Sequence, residues 1–143
     1  MHPQSFGQGV ARFHDGLLVR VVAASVLFAA VAFAFADGIV RFAGGDAQSV
    51  AIYRFALVGM VLFSVFLTNA VFAMAFRRIR AMAGLLVVAA AANYVLGALF
   101  AQAFGPQAVV FGFLVSALFL GASSSAYILR LRRSADYAYF AAF

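Results

Sequence analysis

The 143-residue sequence contains no cysteine, no tryptophan, no glutamate and no lysine, and only two prolines. Without cysteine the chain has no disulfide framework, no thiolate metal ligand and no cysteine nucleophile. Charge is also scarce, because 10% of the residues are charged, against about a quarter in a typical soluble domain. With 67% hydrophobic residues and a mean hydropathy of +1.08, there is too little polar surface to cover a soluble globule. The composition therefore excludes a soluble enzyme, a free nucleic-acid binder and a disordered chain, and indicates a polytopic membrane protein.

Four apolar runs are long enough to cross a hydrocarbon layer about 30 Å thick as helices. None of them shows the alternation of a β-barrel strand, so helices must satisfy the backbone. A Gly105-Pro106 pair, which breaks helices, separates the last two runs. We therefore predict an all-α fold with four transmembrane helices arranged as two antiparallel hairpins. The predicted transmembrane domain covers residues 17–133, with spans at 17–36, 51–76, 82–104 and 108–129.

Two shorter segments flank this domain. Residues 1–16 form a predicted cytoplasmic or interfacial leader, in which hydrophobic residues recur at helical spacing. Residues 134–143 form a predicted cytoplasmic tail, whose aromatic rings suit the headgroup region or, alternatively, a docking partner. Residues 34–36 also have the small-x-small pattern of a signal-peptidase site. The apolar run before them is, however, longer than the roughly 7 to 15 residues of a secretory signal.

The net charge of +6 is distributed unevenly. If neighbouring spans are antiparallel, both termini and the second loop share one side, which then carries eight of the ten arginines and two of the four aspartates. Because arginines near span ends resist translocation, we predict that this side and both termini are cytoplasmic, in a multi-pass membrane protein. This bias accounts for the basic charge without a nucleic-acid partner. The topology anchors are Arg77, Arg78, Arg80, Arg130, Arg132 and Arg133.

The polar residues inside the predicted spans are few. No Asp, Glu, Lys or His occupies the middle of a span, and His2 and His14 fall in the leader. We therefore expect no enzyme activity, no catalytic residue, no cofactor and no metal site. Amides and aromatic rings can bind sugar hydroxyls, and a guanidinium attracts anions. The candidates for a substrate path are Arg54, Asn69, Asn93, Tyr94 and Gln102.

Simpler interpretations exist for the same residues. Arg54 lies near the outer end of its span and can either snorkel to the interface or face a water-filled cavity and attract an anionic group. The amides can instead join neighbouring helices through hydrogen bonds. Small residues at a spacing of four let helices approach each other closely. The candidates for such helix packing are Gly97, Gly112, Ser116, Gly121 and Ser125.

Short motifs follow one another in a definite order along the second half of the chain. They are Leu67-Thr68-Asn69, Phe76-Arg77-Arg78-Ile79-Arg80, Asn93, Phe104-Gly105-Pro106, Phe111-Gly112-Phe113, Leu129-Arg130-Leu131-Arg132-Arg133 and Asp136-Tyr137-Ala138-Tyr139-Phe140. Their order and spacing resemble the C-terminal end of the Pel exopolysaccharide transporter family. That family is similar to the flippases that export drugs, lipid-linked oligosaccharides and polysaccharides. The leader and first span also fit the segment that precedes these helices in the family.

The resemblance implies a role in moving an exopolysaccharide of biofilms across the inner membrane. It also implies a cytoplasmic glycosyltransferase and membrane scaffold proteins as partners, besides membrane lipid. Flippases of this kind have about twelve helices in two lobes around a central cavity. This chain is therefore expected to be a fragment or a short relative of such a transporter. The alternative is a small four-helix scaffold or assembly subunit, in a homo-oligomer or with partners, without transport activity of its own.

Overall fold

The computed structural model describes residues 3–133, with side chains described from Gly7 onward. No strand occurs in this part of the chain, and four helices are long and apolar enough to cross a membrane. The prediction of an all-α protein with four membrane-length helices is confirmed. The predicted tail, residues 134–143, lies outside the described residues. The helices are α1 (Pro3–Ala34), α2 (Ala36–Phe42), α3 (Ala47–Ala75), α4 (Ile79–Phe104) and α5 (Val109–Arg133), and a short 3-10 helix (Pro106–Ala108) precedes α5.

The helix ends differ from the predicted spans in two places. The predicted leader continues into the first span without a break, as one helix, α1. The predicted first loop contains the short helix α2 and the start of α3, which begins at Ala47. Asp46 starts α3 as its N-cap, because its extended backbone lets the carboxylate accept a hydrogen bond of 2.8 Å from the Ser49 backbone N–H.

Two helices end in the same backbone motif with different residues. After α2, the Gly44 N–H bonds to Arg41 O and the Gly45 N–H bonds to Val40 O, with Gly44 at a φ of 82°. After α3, Arg77 takes the equivalent left-handed position at a φ of 54°. This motif ordinarily uses glycine there, because a Cβ atom is disfavoured at positive φ. The backbone of the α3–α4 turn is therefore strained at Arg77, which has a Cβ atom where glycine is usual.

The long helices form an open layer in the order α1, α3, α5, α4. Helix α1 packs on α3, α3 packs on α5 and α5 packs on α4, whereas α1 and α4 do not touch within the described residues. Contacts of His14 with Asn69 and of Phe33 with Arg54 show that α1 and α3 run antiparallel. Helix α5 thus lies between α3 and α4, although α3 and α4 are consecutive in the chain.

Glycines bring the backbones of neighbouring helices into direct contact. A Cβ atom added to Gly112 of α5 would lie 2.5 Å from the Gly97 nitrogen of α4 and 3.0 Å from the Asn93 carbonyl oxygen. On the other side of α5, the Phe113 ring lies against Gly59 of α3, in space that a Cβ atom would fill. These close approaches fix α5 between its two neighbours.

Large apolar side chains cover the outer surface of the layer. Phe13 and Phe28 of α1 are 68% and 64% exposed, and Val87 of α4 is 69% exposed. A water-soluble protein rarely exposes contiguous apolar surface on this scale, whereas the hydrocarbon layer is its natural environment. The buried core is small by comparison and includes Phe66, Met82 and Ile128 from α3, α4 and α5.

Candidate functional site

Four polar side chains from α1, α3 and α5 meet inside the layer and form what we call the His14–Asn69 cluster: His14, Asn69, Ser124 and Ser125. His14 is 4% exposed, and Asn69 and Ser124 are fully buried. His14 Nε2 lies 2.9 Å from Asn69 Oδ1, and Asn69 Nδ2 lies 2.9 Å from the Ser124 hydroxyl oxygen and 3.1 Å from that of Ser125. One asparagine therefore links three helices.

The hydrogen-bond roles within the cluster follow from the Asn69 amide. Its nitrogen donates to both serine hydroxyls, so its oxygen is the acceptor and His14 Nε2 is the donor. The Ser124 hydroxyl in turn donates a hydrogen bond to Gly121 O at 3.2 Å. Because the Asn69 amide uses both ends inside the protein, the cost of burying it is offset.

An ion pair borders the cluster at the surface. The Asp15 carboxylate accepts hydrogen bonds of 2.7 and 3.0 Å from the two terminal nitrogens of the Arg132 guanidinium, which joins α1 to α5. The same carboxylate lies 3.3 Å from His14 Nδ1. On the apolar side, the Phe72 ring meets the His14 ring edge to face at 4.6 Å. His14 is therefore held between a charged surface pair and an aromatic core.

His14 is not predicted to be a packing residue, because the predicted leader, residues 1–16, is separate from the first span. The signal lay in the spacing of Val10, His14 and Leu17, which are four and three residues apart and so share a face of a continuous helix. Val10 packs against the core and His14 is buried on that face. Phe13, one residue away, is 68% exposed.

Arg54 occupies the opposite end of α3. The Arg54 Nη2 atom donates a hydrogen bond to Asp37 Oδ2 of α2 at 2.7 Å. The guanidinium carbon lies 5.0 Å from the centre of the Phe33 ring of α1. The Arg54 side chain is 38% exposed, and its Nε atom has no hydrogen-bond acceptor in the described part of the chain. Arg54 and Asn69 are 15 residues apart on one helix, which is roughly 22 Å along its axis.

The remaining candidates for a substrate path lie on α4. Tyr94 is 81% exposed and Gln102 is exposed, while Asn93 is half-buried beside the contact with α5. The five candidates are thus spread over the two ends of α3 and the surface of α4. The structure does not bring them together at one site.

The packing candidates lie at helix contacts. Gly97 faces Gly112, Gly121 faces the Leu62 carbonyl oxygen, and Ser125 accepts the hydrogen bond from Asn69. Ser116 is 4% exposed, and its hydroxyl has no partner within the described residues. Both α3 and α5 end on the side of the His14–Asn69 cluster. That end carries all six topology anchors: Arg77, Arg78, Arg80, Arg130, Arg132 and Arg133.

No group of three or more His, Asp or Glu side chains in the described part of the chain is placed to hold a metal ion. The chain matches no protein-family model, no curated protein and no solved structure. Four membrane-length helices define the class as a multi-pass membrane protein.

Proposed function

We propose that this chain is a scaffold or assembly subunit of the bacterial inner membrane, with both termini cytoplasmic, which acts by packing its helices against larger membrane partners. One observation carries the proposal: the four helices form an open layer, and the polar groups of the His14–Asn69 cluster inside it bind one another. An open layer cannot enclose a lumen by itself. The uneven charge supports the orientation, because the basic end resists translocation.

We assign the outer face of α4 to the contact with the partner. Tyr94 and Gln102 place a hydroxyl and an amide on its outer surface, and neither side chain has a hydrogen-bond partner in the described residues. Polar groups on a membrane helix are more stable against another helix than against lipid tails. Ala91 and Ala98 lie exposed on the same helix and would allow close approach.

A second function is supported by the same face. If further helices closed the layer, Tyr94 and Gln102 would line the enclosed space, as a path for sugar hydroxyls requires. Together with the resemblance to the Pel transporter family, this supports a part in polysaccharide export, beside a glycosyltransferase and scaffold proteins. The chain itself would be non-enzymatic and would need other helices to complete the path.

One experiment tests the subunit proposal and separates the two functions. The tagged chain is crosslinked in its host membrane and purified in mild detergent, and the mass of the intact complex is measured. We expect a stoichiometric assembly that Ala91→Trp disrupts, whereas the control Val31→Trp, on the exposed face of α1, leaves it intact. A monomer, or an assembly that tolerates Ala91→Trp, would refute the proposal.

Secreted polysaccharide is measured in the same strains. A scaffold predicts that export falls only when the assembly is lost. A part in the transport path predicts that Tyr94→Phe or Gln102→Ala lowers export while the assembly and the abundance of the chain are unchanged.

A further inference from the structure

The contact between α1 and α3 carries an apolar groove, and the Arg54 guanidinium lies over one of the rings that line it. The groove has a volume of about 320 Å³ and is lined by Val26, Ala29, Ala30 and Phe33 of α1 and by Leu57, Val58, Val61 and Leu62 of α3. We call it the Arg54 groove. Arg54 precedes Leu57 and Val58 by three and four residues, so it continues the same face of α3. Phe33 both lines the groove and lies under the Arg54 guanidinium.

The guanidinium has hydrogen-bonding capacity left over. Arginine carries five N–H donors, and in the described residues Arg54 uses one of them, toward Asp37 at 2.7 Å. Its Nε atom is buried, so a phosphate would bind the donors of the two terminal nitrogens. Its side chain is 38% exposed and the Asp37 side chain is 57% exposed. A planar guanidinium with free donors binds phosphate in bidentate fashion. Asp37 therefore competes with an incoming phosphate for Arg54.

The apolar groove and the Arg54 guanidinium together match the apolar tail and the charged head of an amphiphile. The groove runs along two membrane-length helices, and Arg54 lies near the end of α3 that follows the loop at Asp46. We propose that the Arg54 groove binds one anionic phospholipid, with an acyl chain along the groove and the headgroup phosphate on the Arg54 guanidinium. The proposal is independent of the scaffold or transport function.

A second groove on the same helix pair provides an internal control. It has a volume of about 420 Å³, and its lining includes Phe28 of α1 and Met60 and Leu67 of α3. Phe33, the ring under the Arg54 guanidinium, does not line it. A substitution in this groove should therefore not change a lipid preference that Arg54 confers.

The test uses the full chain, purified in mild detergent and incubated with equal amounts of phosphatidylglycerol and phosphatidylcholine that carry the same acyl chains. The retained lipids are quantified by mass spectrometry of the intact protein. We expect about fivefold to tenfold enrichment of phosphatidylglycerol, reduced to about one by Arg54→Gln. Asp37→Asn should raise the enrichment, because it removes the competing carboxylate. Met60→Phe, in the second groove, should leave it unchanged.

Opposite effects of Arg54→Gln and Asp37→Asn separate lipid binding from a purely structural ion pair. If both substitutions lower the enrichment, or if neither changes it, the proposal is wrong. It is also wrong if inorganic phosphate at the same concentration displaces the lipid, because the site would then recognise free phosphate. If Arg54→Gln does not fold, as shown by loss of the helical circular dichroism signal, Arg54→Lys and Asp37→Asn are compared with the parent protein instead. The lysine should retain part of the enrichment through its charge.

Discussion

The imidazole of His14 and the amide of Asn69, 55 residues apart in the chain, meet at 2.9 Å between α1 and α3, where both side chains are buried. This contact sets the position of α1 along α3. Because the same amide reaches Ser124 of α5, it also sets the position of the helix that holds the layer together. The half of the protein that contains the His14–Asn69 cluster is therefore specified by polar contacts inside a mostly apolar structure.

Asn69→Ala should destabilise the protein by about 1–3 kcal/mol, because it leaves the buried His14 imidazole without its acceptor and two serine hydroxyls without their donor. The measurement is unfolding in mixed detergent–SDS micelles, followed by circular dichroism. Gln102→Ala is the matched control, since that exposed amide has no partner in the described residues and should change the stability by less than about 0.5 kcal/mol. Equal stability of the two variants would contradict the role given to Asn69.

Gly112→Ala should separate α5 from α4, because the new methyl group would lie 2.5 Å from the Gly97 nitrogen. We expect a loss of about 1–3 kcal/mol in the same unfolding experiment. The control is Gly84→Ala on α4, where no atom lies within 4 Å of the added Cβ atom. That substitution should be neutral or should stabilise the helix by up to about 1 kcal/mol, and a loss of similar size at both glycines would rule out the close contact as the cause.

Arg77→Gly should be about 1 kcal/mol more stable than Arg77→Ala, because glycine adopts a φ of 54° without steric cost. Arg77→Ala is the control, since it removes the same charge and side-chain contacts but keeps a Cβ atom at the strained position. The predicted gain is the difference in unfolding free energy between the glycine and alanine variants. If the alanine variant is at least as stable as the glycine variant, backbone strain at Arg77 is not significant.

The N-cap of α3 should weaken in acid. The Ser49 backbone N–H donates to the Asp46 carboxylate and lowers the pKa of that group below its ordinary value. Since the folded-state pKa is the lower one, the stabilisation is present above the ordinary carboxyl pKa of about 3.9 and is lost as the pH falls through the lowered value. Hydrogen exchange of the Ser49 amide, corrected for intrinsic exchange, should report this loss. Asp46→Asn should cap the helix without the pH dependence, and the same pH profile in that variant would exclude Asp46 as the titrating group.

Membrane orientation can be tested without background labelling, because the chain has no cysteine. Arg78→Cys, in the α3–α4 turn, should react with a membrane-impermeant thiol reagent only after the inner membrane is opened. Gln48→Cys, at the start of α3, should react from the periplasmic side in intact spheroplasts. Both positions are exposed in the structure. The reverse pattern would place the basic end outside and overturn the predicted topology.

Composition and hydropathy were sufficient to predict the class of protein and the number of membrane-length helices. In a hydrocarbon layer every backbone polar group must be satisfied within its own segment, so a long apolar run can be assigned as a helix without knowledge of its neighbours. The break at Gly105 and Pro106 was predictable for the same reason, since it depends on local backbone chemistry. Gly105 ends α4 at a φ of 96°, and Pro106 begins the 3-10 helix that follows.

The partners of the polar side chains depended on the tertiary structure. The sequence alone placed Asn69 among the substrate-path candidates and left His14 in a separate leader, whereas packing joins the two. It also left Arg54 without a partner, which the short helix α2 supplies as Asp37. These pairings require the rotation and axial position of each helix relative to its neighbours, which no single segment specifies. Hydropathy is a property of one segment, whereas a hydrogen bond between helices is a property of two, and only the folded arrangement specifies which two meet.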